Sequence, residues 1–169
     1  MKIIVIGCPG SGKSTFSVKL HEITGIPLFH LDMMYWNADK TTVDKTTFLK
    51  RLTAVLESDE WIIDGNYAST MDLRMQASDT VVFLDYPVEV CLDGIEKRKG
   101  RPRRDMPWTE DEYDAEFIEF IKNYNTENKP RVVKLLEKYS DKNVFIFKNR
   151  DESEEFLSDI KNKLTVLKE

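Results

Sequence analysis

A β-branched run, Lys2–Ile6 (KIIVI), leads directly into GCPGSGKST at positions 7–15. Continuous apolar runs of this kind suit a strand buried on both faces of a sheet. The next segment, Lys13–Thr24, carries Phe16, Val18, Leu20 and Ile23, with Gly25 as a stop, and reads as a helix. The spacing Gly7-x4-Gly12-Lys13-Ser14 between a strand and a helix is that of a phosphate-binding loop. Its backbone N–H groups turn inward around a phosphate, and the helix adds its positive dipole end. Gly7, Pro9, Gly10, Ser11, Gly12, Lys13, Ser14 and Thr15 are therefore expected to hold a nucleoside triphosphate. Lys13 reaches the β- and γ-phosphates, and the Ser14 hydroxyl is offered to Mg²⁺.

A strand–loop–helix opening followed by more alternating segments implies α/β architecture with a parallel sheet. Further strands are expected at Pro27–Leu31, 60–64, 80–85 and 143–147. Helices are expected from a Thr42 cap to Glu57, around Met71–Ala77, and from Pro87 into the basic stretch near Lys97. Others follow at 109–125, at 129–139 opened by Pro130, and at Ser153–Leu167. No repeat or linker divides the 169 residues, so one domain spanning 1–169 is expected. The apolar runs are far shorter than the roughly 20 residues that cross a bilayer, and the N-terminus lacks a signal-peptide pattern. Cys8 and Cys91 have no paired spacing and no histidine companions. They read as reduced thiols of a cytoplasmic protein, Cys8 only a spacer in its loop. A net charge of −5 disfavours a general nucleic-acid binder.

Three stretches bear on what happens to the triphosphate. WIIDGNY (61–67) and VVFLD (81–85) each end in a carboxylate where a Mg²⁺ hydration shell would be held, so Asp64 and Asp85 are both candidates. Asp85 also reads as a strand-end cap or a turn before Pro87. KRKGRPRR (97–104) places six basic residues in eight positions. Such a run reads as a solvated surface, as a DNA-binding strip, or as a mobile lid closing over the triphosphate. The DNA reading is disfavoured by the absence of interleaved aromatics and by the acids between Asp105 and Glu119. HLDMMYW (30–36) follows the second strand, where the carboxyl ends of strands line a ligand crevice. Asp32 is there a candidate base or hydroxyl acceptor, and Tyr35 and Trp36 a stacking wall. His30 reads as a packing residue.

The Asp-Gly at the end of the third strand resembles that of the adenylate-kinase group of nucleotide and metabolite kinases, which favours Asp64 over Asp85 as the metal carboxylate. The same group carries an arginine-bearing lid after the fourth strand, which the resemblance places at about 98–110 with Arg101, Arg103 and Arg104 as catalytic charges. More narrowly, GCPGSGKST, HLDMMYW, WIIDGNYASTMDLR, VVFLDYPVEVCL and GRPRRDM, in this order over most of residues 1–106, resemble the DNA topology modulation proteins. The C-terminal part matches loosely, through FIEFI and KPRVVKLL. Gly94 departs from the basic residue expected in a CL-x-[RK] pattern. The resemblance implies a five-stranded parallel sheet in the order 2-3-1-4-5, with ATP and Mg²⁺ as cofactors.

Adenylate kinases clamp an acceptor phosphate with arginines after the second strand and in an Asp-Gly-Phe-Pro-Arg stretch. Here Asn66 and Tyr67 follow the Asp-Gly, no arginine lies between His30 and Lys50, and Arg74 is the obvious substitute. Each missing charged hydrogen bond would cost a phosphorylated acceptor roughly 1.5–3 kcal/mol. The expectation is phosphoryl transfer to a small hydroxyl or phosphate acceptor facing Asp32, Trp36, Asn66 and Arg74, with a less charged hydroxyl compound, such as a nucleoside or metabolite, fitting better. A nucleotide-dependent regulator acting on DNA or DNA-binding proteins is the alternative.

Overall fold

The computed structural model describes residues 1–166. Five strands form one parallel sheet: β1 (Lys2–Gly7), β2 (Leu28–His30), β3 (Trp61–Asp64), β4 (Thr80–Leu84) and β5 (Asn143–Phe147). Their order is β2-β3-β1-β4-β5, as the family resemblance implied. Eight helices connect and flank them: α1 (Lys13–Thr24), α2 (Leu31–Tyr35), α3 (Lys45–Leu56), α4 (Ala68–Ala77), α5 (Val88–Arg98), α6 (Ala115–Glu127), α7 (Lys129–Lys138) and α8 (Arg150–Val166).

Alternation along β1 divides the core. Ile3 and Val5 face one side, where they pack with Phe16 and Leu20 of α1, Ile95 of α5 and Leu157 of α8. Ile4 and Ile6 face the other, against Phe48 and Leu52 of α3, Met75 of α4 and Val132 of α7. A strand with both faces covered must be apolar throughout, and the KIIVI run meets that requirement. Pairing of β1 with β3 sets Val5 opposite Asp64, and pairing of β2 with β3 sets His30 opposite Asp64. On the other flank Gly7 lies opposite Leu84. The ends of four strands thus open on one edge of the sheet, where an open α/β fold binds ligands.

Several expected boundaries shift, each for a local reason. Asp44 rather than Thr42 caps α3, its carboxylate accepting the Thr47 N–H at 2.9 Å, while Thr42 bridges to Trp36. The second strand is cut to three residues because the chain turns into α2 at Leu31. The helix expected from 109 begins at Ala115, capped by Asp114, because the residues before it belong to a loop over 99–114. That loop is closed by the Gly100 N–H donating to the Glu110 carbonyl at 2.8 Å. The last helix begins at Arg150, and its expected final residue, Leu167, lies outside the described residues. Cys8 and Cys91, far apart in sequence, are both buried in one core cluster as free thiols. Among the described residues no helix is long and apolar enough to cross a membrane.

Gly94 has a physical explanation. A Cβ on Gly10 would fall on the Cys91 carbonyl oxygen, and one on Gly94 would fall on the Gly10 carbonyl oxygen. The phosphate loop and α5 touch backbone to backbone, so the basic side chain expected at position 94 has no room. Gly94→Ala tests this contact. Helix propensity alone favours alanine by about 1 kcal/mol, whereas overpacking against backbone costs about 1–3 kcal/mol. Because the added Cβ falls on backbone rather than on a flexible side chain, the upper end of that cost applies, and the variant is expected to be less stable by a net of about 2 kcal/mol in urea unfolding, a drop of roughly 4–8 °C in Tm; a variant as stable as wild type would show that the loop and α5 can separate freely.

Candidate active site

The phosphate loop follows β1 and hands the chain to α1 through Gly12, whose φ of 95° is left-handed and which provides no side-chain cap. The first N–H groups of α1 are therefore left for an anion. Lys13 curls back, its Nζ donating to the carbonyls of Gly7 at 2.9 Å and Cys8 at 3.1 Å. Desolvation pushes its pKa down and the field of Arg98 adds to this, against the nearby Asp64 and Asp32 carboxylates. Pro9, Gly10, Gly12, Lys13, Ser14 and Thr15 line a cavity of about 1170 Å³. That is room for a nucleotide together with a second small molecule, since single-ligand sites run to about 1,000 Å³. Gly7 and Ser11 are buried behind the loop: the Gly7 N–H donates to Asn66 Oδ1 at 3.2 Å, and Ser11 Oγ is buried without a partner.

Three carboxylates approach the loop from three elements. Asp32, in α2, accepts the Tyr67 hydroxyl at 2.7 Å. Burial raises its pKa, the charges of Asp105 and Asp64 raise it further, and Tyr67 and Lys13 only partly offset them. Asp64, at the end of β3, is 3% exposed and accepts from His30 Nδ1 at 2.8 Å. His30 is thus not a mere packing residue. Burial pulls its pKa down, but the hydrogen bond to Asp64 and that carboxylate's charge outweigh the loss and leave the net shift upward. Asp105, in the 99–114 loop, accepts the Ser14 hydroxyl at 2.5 Å and the Arg103 Nε at 3.0 Å. Burial would raise its pKa, yet Arg103 and Ser14 hold it down at about 2.

The basic stretch divides. Arg103 lines the cavity and pairs with Asp105, and its Nη1 is buried without a partner. Arg104 lies at the rim, 79% exposed and 3.9 Å from Glu22. Arg101 is exposed and does not line the cavity, a correction to its expected place beside Arg103 and Arg104. Two cavity arginines were not singled out from the sequence. Arg98 ends α5, with its Nε donating to the Tyr113 hydroxyl at 2.7 Å. Arg150 opens α8 and brings Nη1 to 3.1 Å from where a Gly12 Cβ would stand. The first was legible as part of the basic run, but nothing local in the sequence around Arg150 marks it.

Arg74 is the larger correction. Expected to face the acceptor, it is fully buried and does not line the cavity. Its Nη1 donates to the Gly65 carbonyl at 2.9 Å, its Nη2 to the Asn66 and Tyr67 carbonyls, and its Nε to Thr70 Oγ1 at 3.3 Å. Burial pushes its pKa down to about 9. It braces the turn after β3, where Tyr67 adopts a left-handed φ of 36°. Such a conformation costs of order 1–3 kcal/mol and persists only where surroundings enforce it. The turn aims the Tyr67 hydroxyl at Asp32 and the Asn66 amide at the loop. Asn66, Tyr67 and Trp36 line the cavity beside Asp32, and Trp36 meets Trp108 of the 99–114 loop edge to face at 5.2 Å. Asp85 does not line the cavity; it pairs with Lys129 at 2.8 Å and with Lys148.

No protein-family model matches the sequence, and no curated protein matches it at a significant level. The likeness that emerges is one of structure. The chain superposes on a shikimate kinase from Acinetobacter baumannii in complex with shikimate, with a TM-score of 0.63, 16% identity, and coverage of 99% of this chain and 95% of that one. A shikimate kinase from Bacteroides thetaiotaomicron gives 0.55, 20%, 98% and 98%. A gluconokinase from Sinorhizobium meliloti 1021 gives 0.55, 16%, 98% and 92%. The fold is that of P-loop kinases.

Two variants test these assignments. Arg74→Lys keeps a charge but loses the planar fork that satisfies three carbonyls, so it should lower stability in urea unfolding by about 2–4 kcal/mol. A loss below about 1 kcal/mol would mean that the turn holds itself. Asp85 has a depressed pKa: burial raises it, but Lys129 and Lys148 more than compensate. Its ion pairs therefore stabilise the fold above the ordinary aspartate value near 3.9 and are lost as pH falls through the lowered one. Asp85→Asn should cost about 1–2 kcal/mol at pH 7, a difference that shrinks below about pH 4. A difference that stayed constant into acid would rule the ion pairs out.

Proposed function

We propose that this chain is an ATP-dependent kinase that transfers the γ-phosphoryl group to a hydroxyl of a small acceptor, with 1–169 acting as one domain. The observation that carries this reading is the convergence on one cavity of a phosphate loop, a carboxylate free to take a proton, and an arginine with an open donor. Lys13 would grip the β- and γ-phosphates. Arg103, through Nη1, would meet the charge that spreads over the transferring group. Asp32 Oδ1 is held by Tyr67, which leaves Oδ2 to accept the proton of the attacking hydroxyl. The acceptor oxygen forms a bond to the γ-phosphorus as the bridge to ADP breaks, and the proton passes to Asp32.

The Ser14 hydroxyl and the Asp64 carboxylate, with Asp105 beside Ser14, are the hard oxygen donors that suit Mg²⁺. When bound, Mg²⁺ would neutralise charge on the β- and γ-phosphates. Solved neighbours named shikimate kinase and gluconokinase support a small hydroxyl acceptor. The motifs shared with the DNA topology modulation proteins contribute Lys13, Asp32, Asn66 and Arg103 to the same cavity, so we read that resemblance as kinship in a kinase-like site.

The test is ATP consumption by the purified chain with Mg²⁺ and a panel of hydroxyl compounds. Lys13→Ala should abolish turnover while leaving the fold intact. Arg103→Lys should lower turnover about 100-fold, and more than either Arg101→Lys or Arg104→Lys, because of these three only Arg103 is drawn into the cavity by Asp105, Arg101 lying outside it and Arg104 at its exposed rim. Unchanged turnover in a folded Lys13→Ala variant would overturn the reading.

A further inference from the structure

On the acceptor side of the cavity, aromatic rings run unbroken from the core to the 99–114 loop. Phe48 touches Tyr35 and Tyr67 at 5.3 Å, Tyr35 touches Trp36 at 5.4 Å, and Trp36 touches Trp108 at 5.2 Å. Trp36, Tyr67 and Trp108 line the same cavity as Asp32. The Trp108 indole N–H donates to Glu110, another cavity carboxylate, at 3.1 Å. Among the described residues, the cations near this wall lie outside the cavity or are held away from Asp32. Arg74 is buried under the turn after β3, and Arg51 donates to the Met34 carbonyl at 2.9 Å. Lys40 sits 6.0 Å from the Trp108 ring and does not line the cavity. Lys13 and Arg98 adjoin each other at the phosphate loop, and Arg103 is held by Asp105 beside Ser14.

We infer that the acceptor is an uncharged, hydroxyl-bearing ring compound, a sugar or a nucleoside, whose apolar face lies against Trp36 and Trp108 while a hydroxyl reaches Asp32. The inference rests on the kinase reading for the identity of the second ligand, and adds its charge and shape. Aromatic faces take flat bases and the C–H faces of sugars alike. A carboxylate and the Asn66 amide beside them accept and donate hydrogen bonds to hydroxyls. An anion at this wall would meet Asp32 and Glu110, while among the described residues the cavity's cations gather at the phosphate loop or are paired, Lys19 with Glu154, Lys97 with Asp93 and Arg104 with Glu22. Shikimate and gluconate are both carboxylates, so a neutral acceptor would set this chain apart from the kinases named for them.

The test uses the full chain with its phosphate loop filled by a non-hydrolysable ATP analogue and Mg²⁺, and reads binding of matched compounds by calorimetry. The pairs are glucose against gluconate, adenosine against adenosine monophosphate, and glucosamine as a cationic probe, alongside a wider panel of neutral sugars and nucleosides. A neutral compound should bind at least about tenfold more tightly than its anionic partner. Trp108→Ala should weaken that binding by up to about tenfold, and Trp108→Phe should retain most of it. Which pair responds separates a sugar from a nucleoside. Tighter binding of the anion or of glucosamine, or no binding by any neutral compound, would overturn the inference. ATP turnover is measured in parallel. Neutral rings that bind without ATP ever being consumed leave the inference standing and remove the kinase reading, while transfer to a carboxylated or phosphorylated acceptor does the reverse.

Discussion

Parallel pairing of β1 on both flanks is the constraint from which the active edge follows. Because β3 and β4 run beside it in register, Gly7, Asp64 and Leu84 end near one line, and β2 adds His30 to it. The loop that leaves β1 then has no side chain to place at Gly10, because α5 comes close enough for Cys91 and Gly94 to touch it backbone to backbone. One helix thereby supports the phosphate loop from below and delivers Arg98, and after it the 99–114 loop, to the cavity.

Upon that frame the charges fall into two classes. Asp85 with Lys129 and Lys148, and Arg74 with its carbonyls, hold structure and do not line the cavity. Lys13, Arg98, Arg103, Asp32, Asp64 and Asp105 do line it. They balance one another there: Arg103 and Ser14 hold Asp105, His30 holds Asp64, and Tyr67 holds Asp32. A buried group of either sign would be costly alone, so each has a partner to orient it. Arg103 Nη1 and Ser11 Oγ, both buried, are left over.

The strands of the sheet were legible because their signals are local: buried strands read as apolar runs, and the glycine loop fixes the first βα unit, whereas their order came from the family resemblance. Asp32 and Asp64 were candidates because strand ends mark the ligand edge, but the same signal offered Asp85, and the resemblance chose between the last two. Arg74 was misread because a basic residue on a short helix looks identical in sequence whether it points out or in. Only the left-handed turn at Tyr67, which no local pattern announces, explains why it points in. His30 depended on the register between β2 and β3, and Arg150 on the packing of a helix far along the chain. Asp105 lay inside a quoted motif, GRPRRDM, yet its value depends on a hydrogen bond across 91 positions.

The basic run shows how one stretch can hold several roles at once. Arg98 is fixed by Tyr113 at the end of a helix, Arg103 is turned inward by Asp105, and Arg101 and Arg104 remain in solvent. Composition alone weights all of them equally, so a basic run predicts phosphate affinity without predicting where it acts. The selecting element is the carboxylate two residues beyond Arg103. By binding both that guanidinium and the Ser14 hydroxyl, Asp105 draws the 99–114 loop onto the phosphate loop and places a positive charge over it. Trp108, three residues on, then meets Trp36, so the same loop closes the wall beside Asp32. The charge beside the phosphate loop and the aromatic wall beside Asp32 are thereby set by one short segment, and any movement of that segment changes both together.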